Sequence, residues 1–378
     1  MYTMTADDKV FFSPDLVEDG LVVESPYYES EVNKAGSCQF YIYNNNPFYN
    51  NLKPLKTIIS IKDDGEEVWR GRVLNVIKNI NNRKTVYCEG LFSIFVDTIV
   101  RPYEHTKNLI EQFTYLITNH NSQVEEFKQF TVGTVDVEDL YGSKKWTNTS
   151  YSQTKDAIDD LITSYGGYIV IEHTNSSNII HYKKDPGVQS NQVIEFGENL
   201  LDVTDTTNPE NVFTILIPIG YDSEGNRITI ESVNQGKDYI ESAEGISLYG
   251  KIVNYFTFQE DIATASELLS KGTEYLNKNI KAARTISIKA IDKHVIDKTL
   301  RRINVYDLVE VHSTVNDIHE VEMCSKIKID MEDLSQSEYT IGTVPDGITN
   351  ILGNTTSTTN RITGNSSPAI PSGDETRY

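Results

Sequence analysis

The stretch from Lys56 to Tyr103 constrains the fold more than any other part of the chain. It runs TIISI, a KDDGEE turn, then VWRGRVLNVIKNINNRKTVYCEGLFSIFVDTIVRPY. Thr57–Ile61 and Val68–Ile77 flank Asp63-Asp64-Gly65, where glycine supplies the positive φ that a tight hairpin turn needs. A third strand at Val86–Cys88 follows the Asn81-Asn82 turn, and a Cys88-Glu89-Gly90 corner with a short apolar helix closes the unit. Upstream, Cys38, Phe40 and Ile42 alternate with Gln39, Tyr41 and Tyr43, the period-2 pattern of a strand with one face in a core. Val10–Phe12 and Leu21–Val23 are short strand candidates around a Glu18-Asp19-Gly20 turn. Residues 1–103 therefore predict one small antiparallel, barrel-like β-domain.

Helical spacing begins after Pro102. Leu109, Phe113, Leu116 and Ile117 fall on one face of a helix. Ile158, Leu161, Ile162 and Tyr165 form a second stripe, with Ser152 as N-cap and Gly166 as stop. It leads into a hairpin, Tyr168–Ile171 and Ile179–Tyr182, so residues 104–200 read as an α+β middle domain. Val212–Ile219 is strand-like, with Pro218 marking an edge or end. Ile262, Ala265, Leu269, Gly272 and Leu276 mark a third helix, inserted at about 260–283 in a second β-rich domain spanning 201–345. Its strands are expected at Ile286–Ala290, Leu308–Val311, Ile327–Ile329 and Tyr339–Ile341. From 346 to 378 the chain is polar, rich in Ser, Thr, Asn and Gly, and reads as a flexible tail with room for a helix at Asp346–Leu352. The fold class is α+β and β-rich, with two barrel-like antiparallel β-domains flanking the α+β middle.

Charge excludes some functions. The chain carries 34 Lys and Arg against 55 Asp and Glu, a net charge of −21. Proteins hold nucleic acid by neutralising phosphates with basic side chains, so stable nucleic-acid binding is not expected; acidity also disfavours anionic membranes. No apolar run reaches the roughly 18 residues of a membrane span, and Met1–Asp8 lacks the apolar core of an export signal. No membrane anchor is expected, and folding belongs in a cytoplasm. Cys38, Cys88 and Cys324 have neither disulfide nor metal spacing and read as small buried hydrophobes.

The motifs of common chemistries are missing. His319-Glu320 begins an HExxH pattern, but Met323 stands where the second imidazole belongs. His173 and His181 are placed to approach each other across the Thr174–Ser177 turn. No GxSxG, phosphate loop or GxGxxG occurs. The acidic pairs Asp63-Asp64, Glu66-Glu67 and Asp159-Asp160 sit on turns or a polar helix face, where solvation explains them. No catalytic, cofactor-binding or metal residue is assigned, and no cofactor is expected. The abundant tyrosines, 22 in all, favour surfaces buried on assembly. Tyr41, Tyr43, Tyr49, Tyr87 and Tyr103 are the interface candidates.

The order of these parts resembles the tail-tip hub family of phages and prophages, also described as tail-associated lysins or prophage tail endopeptidases. KAGSCQFYIYNNNPFYNNLKPLKTIISIKDDGEEVWRGRV is similar to the family's first β-domain, and TVYCEGLFSIFVDTIVRPY to its exit. SYSQTKDAIDDLITSYGGYIVI resembles its helix-then-strand unit, and INVYDLVEV with KIKIDMEDLSQSEYTIG its last β-domain. The resemblance spans residues 10–345. It implies a homotrimer in which two similar domains per chain alternate around a ring. Implied partners are a distal tail protein ring, a tape-measure protein, and receptor-binding or baseplate proteins, in a virion tail tip assembled in the bacterial cytoplasm. Lytic activity in the family belongs to an additional carboxy-terminal domain and is not carried over. The alternatives are a cell-wall-degrading peptidase or glycosidase within residues 104–300, and a carbohydrate-binding β-module.

Overall fold

The computed structural model describes residues 1–16, 20–139, 142–174, 177–207, 212–222, 224–281 and 284–342. The turn at Glu18-Asp19, the 346–378 tail and the helix expected at Asp346–Leu352 lie outside the described residues. Two compact units emerge: Met1–Thr206 with Arg284–Thr343, and Thr207–Ala283.

The chain opens with β1 (Tyr2–Ala6), β2 (Lys9–Phe12), β3 (Glu24–Glu31), β4 (Ser37–Ile42), β5 (Ile58–Asp63), β6 (Glu66–Lys78) and β7 (Lys84–Gly90). Next come β8 (Ile99–Val100), β9 (Tyr103–Lys107), α1 (Leu109–Asn121), β10 (Phe130–Val135), β11 (Lys144–Asn148), β12 (Ser152–Gln153) and α2 (Thr154–Tyr165). β13 (Tyr168–His173), β14 (Asn178–Lys183), β15 (Gln189–Glu195) and β16 (Leu200–Thr207) follow. The second unit holds β17 (Ile215–Tyr221), β18 (Arg227–Ile228), β19 (Ile240–Glu241), α3 (Ala243–Tyr249), β20 (Val253–Asp261) and α4 (Ala265–Lys281). The chain then returns in β21 (Arg284–Ala290), β22 (Leu308–Ser313), β23 (Ile318–Asp330) and β24 (Glu338–Ile341).

The β5–β6 hairpin forms where the turn residues place it. Asp64 and Gly65 both take positive φ, 51° and 85°, which matches the right-handed twist of the flanking strands. Patterning alone misses β3, because Pro26 interrupts it. The strand accommodates this proline with a bulge: Ser25 has φ 48° and the register against β4 shifts between Glu24 and Tyr27. Leu21–Val23, expected as a strand, is irregular.

Both β-rich ends of the chain join one 13-stranded sheet, with β16-β21-β24-β23-β3-β4-β7-β6-β5-β1-β2 as its main path. Five of these strands occur twice in the same order. Reading across the sheet, β3-β4-β7-β6-β5 is answered by β16-β21-β24-β23-β22, and each set has the same sequential order along the chain. The long strands β6 and β23 are both 13 residues, each preceded by a six-residue hairpin partner. Each carries a register shift at the equivalent point, between Val73 and Asn75 against β7 and between Cys324 and Lys326 against β24. Inward positions correspond as well: Cys38 and Phe40 match Ile286 and Ile288, and Val86 and Cys88 match Tyr339 and Ile341, all buried. The sheet therefore contains a duplicated five-strand module. The copies meet edge to edge where Lys326–Asp330 of β23 pairs with Tyr27–Glu31 of β3, and their inward side chains belong to a single core.

Residues 91–183 build a second core on α1, α2 and the β10-β14-β13 sheet. α1 begins at Asn108 with a reciprocal capping box to Glu111. α2 starts after Gln153, whose side chain makes no capping bond, and is stopped by Gly166, with the expected N-cap Ser152 lying in β12. Asn33, in the turn from β3 to β4, fastens this region to the sheet. Its amide donates to Gly167 O at 3.1 Å and accepts from Ile169 N at 2.9 Å.

The second unit, Thr207–Ala283, is larger than the helical insertion expected at 260–283. It enters the chain between β16 and β21, at the point where the first module has only the short turn from β3 to β4. β20 runs parallel to β17, while β18 and β19 pair antiparallel with the ends of β17. Pro218 sits mid-strand rather than at an end, in the gap between those two short ladders, where its missing N–H disrupts none of them. Gly272 of α4 is a packing residue: a Cβ there would lie 2.8 Å from Ile240 Cδ1 and 3.1 Å from Pro218.

Candidate functional site: open strand edges and a histidine pair

The duplicated module exposes two strand edges. β5 and the residues just before it cover the first half of β6, ending with the bonds Val73 N to Thr57 O and Leu55 N to Val73 O. Beyond Val73, no strand among the described residues pairs with the outer edge of β6. Leu74 and Ile77 are 44% and 51% exposed there. The equivalent half of β23 is covered by β3. β16 terminates the sheet at the other side, with Leu201 half exposed beside Asp202, Thr204 and Thr206. Unpaired edges carrying apolar side chains are ready templates for another strand.

The five tyrosines do not form one surface. Tyr41 and Tyr87 lie on the outward face of β4 and β7, near Tyr27, whose hydroxyl donates to Gln39 at 3.3 Å. Arg83 sits over the Tyr41 ring at 4.3 Å, and Tyr43 donates to Glu24 at the end of this face. Tyr49 instead belongs to the core, under the Lys84 ammonium at 3.8 Å. Tyr103 stacks on His105 at 4.5 Å and accepts a hydrogen bond from Gln112 at 2.7 Å.

His173 and His181 do not meet. The register places His173 opposite Asn178 and His181 opposite Val170. His312 and His319 do, as directly opposed residues of the β22–β23 hairpin with rings stacked at 4.2 Å. The signal was present in the sequence: each histidine stands two residues from the Thr314–Asp317 turn, one on either side. Glu310 accepts from His312 Nε2 at 2.8 Å, and the three residues offer ligand atoms within 4.8 Å of one another. Glu195 lies beside His312 on β15, and a cavity of about 200 Å³ opens over the pair. Such a set can exchange protons or hold a divalent ion.

A second cluster, Asp63, Asp64 and His294, is already neutralised. Asp63 is buried and paired with Arg302 at 2.9 Å, and Asp64 with Lys298 at 2.5 Å. The solvated reading of the Asp63-Asp64 pair is thus corrected for Asp63. Arg72, also buried, joins Glu89 at 2.7 Å to Asp97 at 2.9 Å, locking the Cys88-Glu89-Gly90 corner to the segment that follows it. No described helix is long and apolar enough to cross a membrane.

Comparison with known proteins agrees with this architecture. Residues 188–352, less than half of the chain, match the family described as prophage endopeptidase tail. That stretch includes INVYDLVEV and KIKIDMEDLSQSEYTIG; the motifs at 34–103 and 150–171 lie outside it. The fold is shared with the 43 kDa tail protein of prophage MuSo2 from Shewanella oneidensis at 12% identity and TM-score 0.65, covering 91% of this chain and 97% of that one. A tail protein from Neisseria meningitidis gives 11% identity and TM-score 0.65 over 91% and 97% of the two chains. Prophage tail protein gp18 from Listeria monocytogenes gives 14% and 0.57 over 89% and 93%. No curated protein sequence matches the chain. The chain therefore shares the fold of these tail proteins, and its residues 188–352 match the prophage endopeptidase tail family.

Proposed function

We propose that this protein is the structural hub of a phage or prophage tail tip: a homotrimer that plugs the tail and adapts a distal tail ring to the parts below it. The single observation that carries this reading is the duplicated five-strand module. Three chains with two near-equivalent modules each would present six, the symmetry a sixfold tail ring requires. Tape-measure and receptor-binding or baseplate proteins are the further partners, in a virion tail assembled in the bacterial cytoplasm. The net charge of −21 fits a passage for nucleic acid that does not retain it, since binding needs cationic side chains against the phosphates. Light scattering of the purified protein tests the assembly: three times the 42.8 kDa chain mass is expected, and a monomer at every concentration rejects it.

Cell-wall hydrolysis is the second reading, favoured by the family's description and by the convergence of two imidazoles and a carboxylate at His312, His319 and Glu310. It lies outside the 104–300 stretch first considered for an enzyme. Clearing of a peptidoglycan gel by the wild type, abolished in His319→Ala, would replace the structural reading with this one.

A further inference from the structure

We infer that the open edge of β6 at Leu74–Lys78 pairs with the open edge of β16 of a second copy of this chain, an inference that rests on the trimer reading above. The chain already contains this junction once. Lys326–Asp330, the second half of the second module's long strand, pairs antiparallel with β3, the first strand of the first module. Matching the modules through their shared register shifts makes Asn75–Lys78 of β6 the counterpart of Lys326–Ile329 of β23. By the same correspondence β16 is the counterpart of β3, since each flanks the strand paired with the module's last strand. The two elements of the internal junction thus recur in each chain as a β6 edge and a β16 edge, both open among the described residues.

Side-chain chemistry agrees with the backbone. At the internal junction Lys326 and Lys328 of β23 face Glu29 of β3 at 3.2 and 3.8 Å. The β6 edge ends in Lys78 and the β16 edge carries Asp202, so a cation and an anion again fall on the two strands, with Lys78 one position beyond Ile77, the counterpart of Lys328. Leu74 and Ile77 on one edge and Leu201 on the other are exposed in the isolated chain and would be covered by the pairing. The contact is head to tail, because its two surfaces differ; repeated with closure it makes a ring, and without closure a filament. Main-chain hydrogen bonds along an added strand supply the affinity, and the side chains fix the partner.

Charge-swap variants test this, read by light-scattering mass, with circular dichroism and thermal melting to confirm folding. Leu74→Asp with Ile77→Asp sets acid against an acidic β16 edge, and Asp202→Lys with Thr204→Lys sets base against Lys78. Each pair is expected to lose the trimer mass and leave a folded chain of 42.8 kDa. All four substitutions in one chain restore opposite charges across the junction and are expected to recover the trimer, which damage to the fold would not do. If the wild type is trimeric and either paired variant keeps that mass, or the fourfold variant fails to recover it, the edge assignment is overturned while the hub reading stands. A wild type that is monomeric at every concentration overturns both.

Discussion

Arg302 and Asp63 stand 239 residues apart in sequence and form an ion pair of 2.9 Å whose side chains are only 10% and 7% exposed. Asp63 ends the first module's hairpin strand β5, and Arg302 lies in the segment leading to β22, so the pair ties the two modules together. Removing one partner of a buried pair costs about 3–5 kcal/mol when the other charge is left uncompensated, but Asp63 keeps the Met1 amine at 2.7 Å. Arg302→Met is therefore expected to destabilise the first unit by less than that, about 2 kcal/mol, read as a fall in the urea midpoint at unchanged slope.

The same pair predicts an acid dependence. Burial opposes ionisation of Asp63, but hydrogen bonds from the Met1 amine and Arg302, with the Arg302 charge, outweigh it and hold the carboxyl below its usual range. A carboxyl with a depressed folded-state pKa contributes stability that is complete above its unfolded value of about 4, and this is lost as pH falls through the folded value. Urea midpoints measured from pH 6 down to 2 should fall less steeply in Arg302→Met than in the wild type.

Gly90 is fixed by close approach. A Cβ there would stand 1.8 Å from Ala35 O, backbone that has little room to yield. Gly90→Ala should cost about 3 kcal/mol, the upper range for overpacking. A thermal melt that drops by less than a degree or two would show that the corner relaxes.

Among the described residues, the buried hydroxyl of Tyr49 has no hydrogen-bond partner. A buried unsatisfied polar group is destabilising by about 1–3 kcal/mol, and Phe keeps the ring beneath Lys84. Tyr49→Phe should raise stability by about 1 kcal/mol. A loss of stability would show that the hydroxyl is satisfied in solution.

The three cysteines are free and buried. Burial pushes the Cys88 and Cys324 thiols well above their ordinary value, and the thiolate is the reactive species. A chromogenic disulfide reagent at neutral pH should find no fast-reacting thiol in the native protein and three after unfolding.

Local chemistry made much of the fold legible. The β5–β6 hairpin follows from its Asp-Gly turn, β4 from alternation, and α1 and α2 from apolar spacing and the Gly166 stop. β3 was hidden because Pro26 reads as a breaker, and only the bulge at Ser25 shows how the sheet admits it. The interface tyrosines could be enumerated but not sorted: Tyr49, in a polar turn, is buried, whereas Tyr87, in a β-strand, is exposed, because packing across the sheet decides each. His312 and His319 passed unpaired because the sequence drew attention to His319-Glu320 as half of a helical motif, whereas their approach depends on strand register.

By itself the sequence determined a β-rich chain, its hairpins and its principal helices, because turn chemistry and hydrophobic period act over a few residues. It also fixed an acidic charge at odds with nucleic-acid binding. Tertiary structure alone decided that β3–β7 and β16 with β21–β24 are two copies of one module. The inserted unit separates β16 from β21 by 76 residues in sequence, and the likeness lies in strand order and register rather than in side chains. Which edges remain open is likewise a property of the assembled sheet: β6 and β23 share a length and a register shift, and the pairing of β23 with β3 leaves the second half of β6 as the edge without a neighbour among the described residues.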